Sequence, residues 1–258
     1  MLPVITILGR PLPVDTVSTL LAIYIGIELT ERVLARLAPN AQSAAWHQAF
    51  TRATMVALVV GLIGARLGYA VRYYELYIES PGLFLSLRPG TFAVVPGLLL
   101  GGACALFYLA RKQILLSKIA DAGAVGLTGA LLVVDIGNFF TGHAYGTVTE
   151  VPWGVELWQA TRHPVQLYDA VSLLLILGAL WYLQKKVLDG ELFWRFLMLY
   201  SVTQLFLGIF YATSAVWGSG IRINQVIALA TLLVSLFVLS FFAQQRERDE
   251  EQIKYGTV

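Results

Sequence analysis

The 258-residue chain is 57% hydrophobic and only 13% charged, with a mean hydropathy of +0.71. Soluble domains carry about 25% charged residues, so this composition excludes an ordinary soluble protein and predicts an integral membrane protein. The net charge of +2 is too small to favour nucleic acid as a partner. The single cysteine, Cys104, lies in an apolar run and cannot form an internal disulfide. Because the three histidines are far apart and join no Cys/His cluster, we predict no metal site and no cofactor.

Seven apolar runs are each close to the ~20 residues that a helix needs to cross the hydrocarbon of a bilayer. We therefore predict an all-α, polytopic membrane protein whose residues 1–258 form a single transmembrane domain. The charged C-terminal stretch RERDEEQIKY is predicted to be a frayed, solvated end. The predicted spans are residues 15–37, 53–74, 92–110, 119–136, 167–183, 192–212 and 221–243.

Lysine and arginine are distributed unequally between the two sets of connectors. Twelve lie on one set and five on the other, with Arg66 inside a span. Cytoplasmic connectors carry the excess of positive residues. We therefore predict a cytoplasmic C-terminus, with residues 137–166 as an extracytoplasmic segment. The five basic residues on the outer side are Arg10, Arg72, Arg88, Arg162 and Arg222.

Residues 137–166 form a polar, glycine-punctuated segment between two spans, where a membrane protein can build a site at the boundary of water and lipid. The segment holds His143 and His163. Pro164 disfavours a helical backbone at His163, which then serves either as a base or hydrogen-bond donor, or in a capping and positioning role. His143 and Asn138 lie among glycines that permit a tight turn around a lipid headgroup.

Arg66 lies in the middle of an apolar run, between Gly64 and Gly68. A charge at this depth costs about 2.5–3.5 kcal/mol on insertion scales, so it usually faces a cavity or a partner. Two interpretations remain open. Arg66 either clamps the phosphate or carboxylate of a ligand, or forms a structural salt bridge with Asp121 or Asp135.

Four motifs occur in order along the chain: GARLGY at residues 64–69, GNFFTGHAYG at 137–146, VPWGV at 151–155 and HPVQLYDA at 163–170. Together they resemble the prolipoprotein diacylglyceryl transferases. These are seven-span bacterial membrane enzymes that move diacylglycerol from phosphatidylglycerol to the lipobox cysteine of a lipoprotein precursor. The resemblance covers essentially the whole chain and implies a multi-pass protein of the bacterial plasma membrane.

The resemblance also implies which residues form the site. His163, which matches the family motif, and His143, which stands where the family has a glutamate, are the candidates for catalysis. A phosphatidylglycerol-like membrane phospholipid is the implied ligand. The residues implied to bind it are Arg66, Gly68, Tyr69, Asn138, Gly146, Gln166 and Tyr168.

Several catalytic positions of the family hold other residues here. Asp135 replaces an arginine, Pro96 a histidine, and Gln204 and Gly208 an arginine and a glutamate. We therefore favour a protein that has lost diacylglyceryl transfer and serves as a lipid-binding structural or assembly subunit of a membrane complex, with other subunits as partners. The alternative is an active, divergent phosphatidylglycerol–prolipoprotein diacylglyceryl transferase or related lipid transferase, with a lipoprotein precursor as its second substrate.

Overall fold

The computed structural model describes residues 4–7, 10–85, 91–218 and 220–255. These residues form eight α-helices and three two-stranded antiparallel sheets. The helices are α1 (Val14–Leu37), α2 (Ser43–Arg72), α3 (Tyr74–Glu79), α4 (Val94–Arg111), α5 (Leu116–Thr141), α6 (Val165–Leu183), α7 (Glu191–Leu207) and α8 (Ile223–Tyr255). The strand pairs are β1 (Val4–Ile7) with β2 (Arg10–Pro13), β3 (Val155–Leu157) with β4 (Ala160–Arg162), and β5 (Val216–Trp217) with β6 (Ile221–Arg222).

A helix lies at each of the seven predicted spans, and the short α3 follows α2. Five of the described helices (α2, α4, α5, α6 and α8) are long and apolar enough to cross a membrane. The all-α, polytopic class is thereby confirmed. The chain divides into two compact units, Leu34–Ile119 and Met1–Val33 with Ala120–Val258. The single-domain interpretation stays a prediction.

Two helix boundaries differ from the predicted ones. Helix α2 begins ten residues before the predicted residue 53, because Trp46, Ala49 and Phe50 are buried and extend its packed face. Helix α8 continues to Tyr255, twelve residues beyond residue 243, so the prediction of a frayed tail was wrong. Arg88, one of the basic residues used to predict the orientation, lies outside the described residues.

In the unit Leu34–Ile119, helices α2 and α4 pack through small residues. A Cβ at Gly97 would lie 2.7 Å from the carbonyl oxygen of Gly61, and a Cβ at Gly101 would lie 2.5 Å from that of Ala57. Both distances are shorter than atoms tolerate, so glycine is required at these positions. Small residues at such spacing let two helix backbones approach closely in a membrane.

In the other unit, α1 packs against α5 in a similar way. A Cβ at Gly126 would lie 2.0 Å from Oγ1 of Thr30, and a Cβ at Gly129 would lie 2.3 Å from Cδ1 of Leu29. The absence of side chains on this face of α5 therefore makes room for the side chains of α1.

The first turn of α7 is capped by a side chain from α5. The two carboxylate oxygens of buried Asp121 accept hydrogen bonds from the backbone N–H groups of Gly190, at 2.6 Å, and Phe193, at 2.9 Å. These N–H groups have no carbonyl partner within α7, so a carboxylate is a favourable acceptor for them. Asp121 therefore has a structural role that the sequence did not indicate.

The segment after α5 is held in place by short backbone pairings. Helix α5 ends at Thr141, and β3 and β4 form a hairpin within the segment. Isolated bridges join Gly146 to Tyr211 and Val148 to Arg162. Because Tyr211 follows α7, the first bridge ties the segment to the loop beyond that helix.

Candidate functional site

His163 lies two residues before the start of α6, in an aromatic, hydrogen-bonded cluster. Its Nδ1 is 3.3 Å from the hydroxyl oxygen of Tyr168, which also accepts a hydrogen bond of 2.7 Å from Nε1 of Trp153. The ring of Phe210 lies 4.8 Å from the imidazole, measured between ring centroids. The Tyr168 hydroxyl can donate to Nδ1 or accept from it. In either case the orientation of the imidazole is determined by its neighbours.

Gly146 is adjacent to His163 and leaves no room for a side chain. A Cβ at Gly146 would lie 2.3 Å from the His163 carbonyl oxygen and 2.9 Å from its Cβ. The backbone N–H of His163 donates to the carbonyl of Thr147 at 3.0 Å. The segment after α5 therefore runs directly against the backbone of His163, and only glycine permits that approach.

Gln166 and Asn138 position the backbone of His143. The buried side chain of Gln166 donates through Nε2 to the His143 carbonyl at 2.7 Å, and the His143 N–H donates to the Asn138 carbonyl at 3.0 Å. The side chain of His143 itself is exposed. Of the two candidate histidines, His163 therefore has the more constrained imidazole. Gln166 acts here through the loop, and its predicted role in lipid binding stays a prediction.

Arg66 is buried on α2 and hydrogen-bonded within the unit Leu34–Ile119. It donates through Nε to the carbonyl of Phe84 at 2.9 Å, through Nη1 to the carbonyl of Thr91 at 2.8 Å and to its hydroxyl, and through Nη2 to the carbonyl of Leu83. Four of its five N–H groups are thus used by uncharged acceptors. The salt bridge with Asp121 or Asp135, which belong to the other unit, stays a prediction. Lipid binding by Arg66 stays a prediction.

The neighbours of Arg66 on α2 have packing roles. A Cβ at Gly68 would lie 2.4 Å from Cγ of Pro96, so the proline ring of α4 lies directly against this glycine. Tyr69 packs against the rings of Tyr73 and Tyr77, with centroid distances of 4.6 and 6.5 Å. Arg66, Gly68 and Tyr69 therefore belong to one unit, while the histidine cluster belongs to the other.

A buried polar group on α6 was missed by the sequence interpretation. Asp169, in the motif HPVQLYDA, accepts a hydrogen bond of 2.9 Å from Nε2 of Gln204 and another from the hydroxyl of Tyr211. Gln204, one of the replaced family positions, therefore has its hydrogen-bond partner on a neighbouring helix. A carboxylate within an apolar span could have indicated that Asp169 has a buried partner. Asp169 lies only four residues after the start of α6, however, where charged residues are common.

Arg222, the last residue of β6, adds contacts with the loop after α7. Its guanidinium donates to the carbonyl of Gly208 at 2.9 Å and to the carbonyl of Tyr211. Gln204 and Gly208, two of the replaced family positions, therefore take part in hydrogen bonds between polar groups of the protein itself.

Among the described residues, no group of three or more His, Cys, Asp or Glu side chains is arranged to hold a metal ion. The prediction that the protein uses no metal and no cofactor stays a prediction.

Known proteins that resemble this chain identify its family. The family model of prolipoprotein diacylglyceryl transferases matches residues 4–241. Three relatives carry the name phosphatidylglycerol–prolipoprotein diacylglyceryl transferase. The one from Clostridioides difficile is 27% identical over 196 residues, which are 76% of this chain and 79% of that protein. The one from Thermus thermophilus is 28% identical over an alignment of 259 positions, gaps included, which covers 85% of this chain and 90% of that protein. The one from Roseobacter denitrificans is 31% identical over 216 residues, covering 71% and 74%.

The resemblance seen in the four motifs is thereby confirmed and extends beyond them. The chain is a multi-pass protein of the bacterial inner membrane, and it belongs to the prolipoprotein diacylglyceryl transferase family.

Proposed function

We propose that this protein is an active transferase that moves the diacylglyceryl group of phosphatidylglycerol to the cysteine of a lipoprotein precursor. The observation that carries the proposal is the match of the family model to residues 4–241, together with relatives named after this reaction. Loss of activity, which the replaced residues had favoured, has no support from these relatives. The divergent active enzyme is therefore the better interpretation.

The reaction sets two chemical requirements. The cysteine sulfur forms a bond with the terminal glyceryl carbon of the diacylglyceryl group, and the bond from that carbon to the phosphate oxygen breaks. Glycerol phosphate leaves with the bonding electrons, and the thiol proton passes to a base. The site therefore needs a base near the sulfur and hydrogen-bond donors near the departing phosphate.

His163 is the residue that we propose as the base. In the tautomer that the reaction needs, Nδ1–H donates to the hydroxyl oxygen of Tyr168, and Nε2 is free to accept the thiol proton. Trp153 donates to the same hydroxyl and holds it in position. Gly146 lets the preceding segment run against His163, which supports the placement of the imidazole. Tyr168 and Trp153 are positioning residues in this scheme.

A second candidate function is the lipid-binding subunit without catalysis. It is favoured by Asp135, which puts a carboxylate where the family resemblance expects an arginine, and by Pro96 and Gln204, which replace a histidine and an arginine. At ~4 Å and an effective dielectric constant of ~20, each charge contact is worth about 4 kcal/mol. Repulsion of a departing phosphate on this scale would slow the reaction by several powers of ten.

Complementation of a bacterium depleted of its own transferase separates the two functions. We expect growth, which His163→Ala abolishes and which the matched control His47→Ala, on α2, leaves intact. The same variants are then assayed in vitro with phosphatidylglycerol and a lipobox peptide. Absence of both growth and thioether product from the unsubstituted protein would favour the non-catalytic subunit.

If the unsubstituted protein proves inactive, a triple variant tests whether its fold still supports the reaction. Asp135→Arg, Pro96→His and Gln204→Arg together restore the side chains of the family at three replaced positions. Activity gained only in this variant would mean that the fold still supports the family's chemistry and that the native chain lacks it.

A further inference from the structure

The α7–α8 pair contains a groove that is charged at one end and apolar along its length. Its volume is about 390 Å³. The groove lies where α7 begins and where the apolar part of α8 gives way to its charged continuation. The lining residues are Glu191, Arg195, Met198, Leu236, Leu239, Ala243 and Arg246.

One carboxylate organises the charged end of the groove. Glu191, whose side chain is 3% exposed, accepts through Oε1 from Nε and Nη2 of Arg195, at 2.9 and 2.6 Å. Through Oε2 it accepts from Nη2 of Arg246 and, at 3.0 Å, from the backbone N–H of Leu188. The buried carboxylate therefore holds two guanidinium groups from two different helices side by side.

The pairing with Glu191 leaves positive charge and hydrogen-bond donors on the two arginines. The lining carries two positive side chains and one negative side chain, so its charged end has a formal net charge of +1. The side chains of Arg195 and Arg246 are 29% and 37% exposed. Among the described residues, no acceptor is hydrogen-bonded to Nη1 of Arg195 or to Nη1 of Arg246. Each arginine therefore keeps N–H donors that are available to a ligand.

We propose that this groove binds an anionic phospholipid, with its phosphate at Arg195 and Arg246 and an acyl chain along Met198, Leu236 and Leu239. Arginine offers paired donors that match the geometry of a phosphate, and two adjacent arginines suit an anion better than a zwitterionic headgroup. The charged end lies at the boundary of the apolar part of α8, which is the depth of lipid phosphates. The lipid would join α7 and α8 at a place separate from the His163 cluster.

Photo-crosslinking in nanodiscs tests the proposal. The probe is phosphatidylserine with a diazirine on one acyl chain, compared with phosphatidylcholine carrying the same diazirine. We expect phosphatidylserine to label residues near Met198 and residues 236–243 about fivefold more than phosphatidylcholine. This ratio corresponds to the attraction between one basic side chain and an anionic lipid at a membrane surface. Equal labelling by the two lipids would overturn the proposal.

One control outside the groove matches the charge substitutions, and another matches the size substitution. Arg246→Gln and Arg195→Gln should abolish the preference for phosphatidylserine, whereas Arg248→Gln, which removes an equal charge outside the groove, should retain it. Leu239→Trp fills the groove without changing charge and should lower the labelling. Leu233→Trp, on an exposed part of α8 outside the groove, should not.

The remaining outcomes are also decisive. If Arg246→Gln lowers thermal stability equally in both lipids but leaves the labelling ratio unchanged, the arginines serve only the ion pair with Glu191 and the proposal fails. If inorganic phosphate at millimolar concentration removes the labelling preference while acyl-chain labelling persists, the site is a free-anion site and the lipid assignment is wrong. The assay needs no catalytic turnover, so its result is independent of the proposed transferase activity.

Discussion

At the scale of single residues, Arg66 is a cation whose hydrogen bonds among the described residues go to three backbone carbonyls and one hydroxyl of its own unit. Its guanidinium holds the chain around Leu83, Phe84 and Thr91 against α2, and the rings of Phe84 and Phe92 lie 5.8 and 5.3 Å from its Cζ. Such a residue stabilises a loop whether or not a lipid is bound. The cost of burying its charge is offset by hydrogen bonds to carbonyl groups, each stronger than a neutral pair.

We expect Arg66→Leu to lower the free energy of unfolding by about 3 kcal/mol, because it leaves several carbonyl groups without donors. Arg66→Lys should recover only part of this loss, since an ammonium group cannot reach acceptors arranged for a planar fork. The measurement is the thermal unfolding of the purified protein together with the phospholipid that co-purifies with it. Arg72→Leu, an exposed arginine on the same helix, is the control. Unchanged unfolding of Arg66→Leu would contradict the structural role.

Tyr168 tests the orientation of the proposed base. Tyr168→Phe keeps the ring but removes the hydroxyl that lies between His163 and Trp153. The loss of the hydrogen bond to His163, worth about 1–1.5 kcal/mol, predicts a decrease in kcat/KM of about tenfold. Tyr182→Phe, an exposed tyrosine at the far end of α6, should be neutral. Full activity of Tyr168→Phe would exclude the positioning role.

The sequence allowed part of this site to be predicted and not the rest. His163, Gly146 and Tyr168 lie in motifs, so their proximity was expected, and the structure adds the reason for glycine at 146. The hydrogen bonds to Asp169 were not predictable, because Gln204 and Tyr211 reach it from more than thirty residues away and no local pattern pairs them. The burial of Arg66 was expected from a charge in an apolar run, but its bonds to the carbonyls of Leu83, Phe84 and Thr91 were not, because no local pattern pairs residues so far apart.

At the scale of elements, the contact between α2 and α4 depends on glycines that face each other. Gly101 and Gly102 are neighbours in sequence but differ in surroundings. A Cβ at Gly101 would meet the Ala57 carbonyl oxygen at 2.5 Å, whereas nothing lies within 4 Å of a Cβ at Gly102. Substitution of Gly101 therefore tests helix packing, whereas substitution of Gly102 tests helix propensity alone.

We expect Gly101→Ala to destabilise the protein by about 1–3 kcal/mol, because the helices must separate to admit a methyl group. Gly102→Ala should be neutral or stabilising by up to about 1 kcal/mol, since alanine favours a helix over glycine. Unfolding in graded denaturing detergent measures both. Equal effects of the two substitutions would mean that the close approach of α2 and α4 does not contribute to stability.

Hydropathy predicted the apolar helices better than it predicted where they end. Each predicted span contains a helix because an apolar run in a membrane must satisfy its own backbone hydrogen bonds. The ends of α2 and α8 lie in polar sequence, where hydropathy carries no signal. There, burial of Trp46 extends α2, and residues after Ala243 continue α8 because adding to an existing helix needs no new nucleus.

At the scale of the whole molecule, orientation in the membrane stays a prediction that rests on twelve basic residues against five. In a Cys104→Ser background, Glu150→Cys should react with a membrane-impermeant thiol reagent added outside intact cells, and Lys185→Cys should not. Both positions are exposed on the protein, so a lack of reaction reports the membrane and not burial. The reverse pattern would move the His163 cluster to the cytoplasmic side and contradict the predicted topology.

Because α8 continues beyond its apolar part, a small tilt of the helix produces a larger displacement at Tyr255. The twelve residues after Ala243 rise about 18 Å along the helix axis, and Glu250 precedes Lys254 by the four residues that suit a helical ion pair. A change of about 10° in the tilt of α8 would displace Tyr255 by about 3 Å relative to the end of the apolar stretch. A dye attached beyond Tyr255, with an acceptor dye in the lipid headgroups, would therefore convert small rotations of this helix into measurable changes in energy transfer.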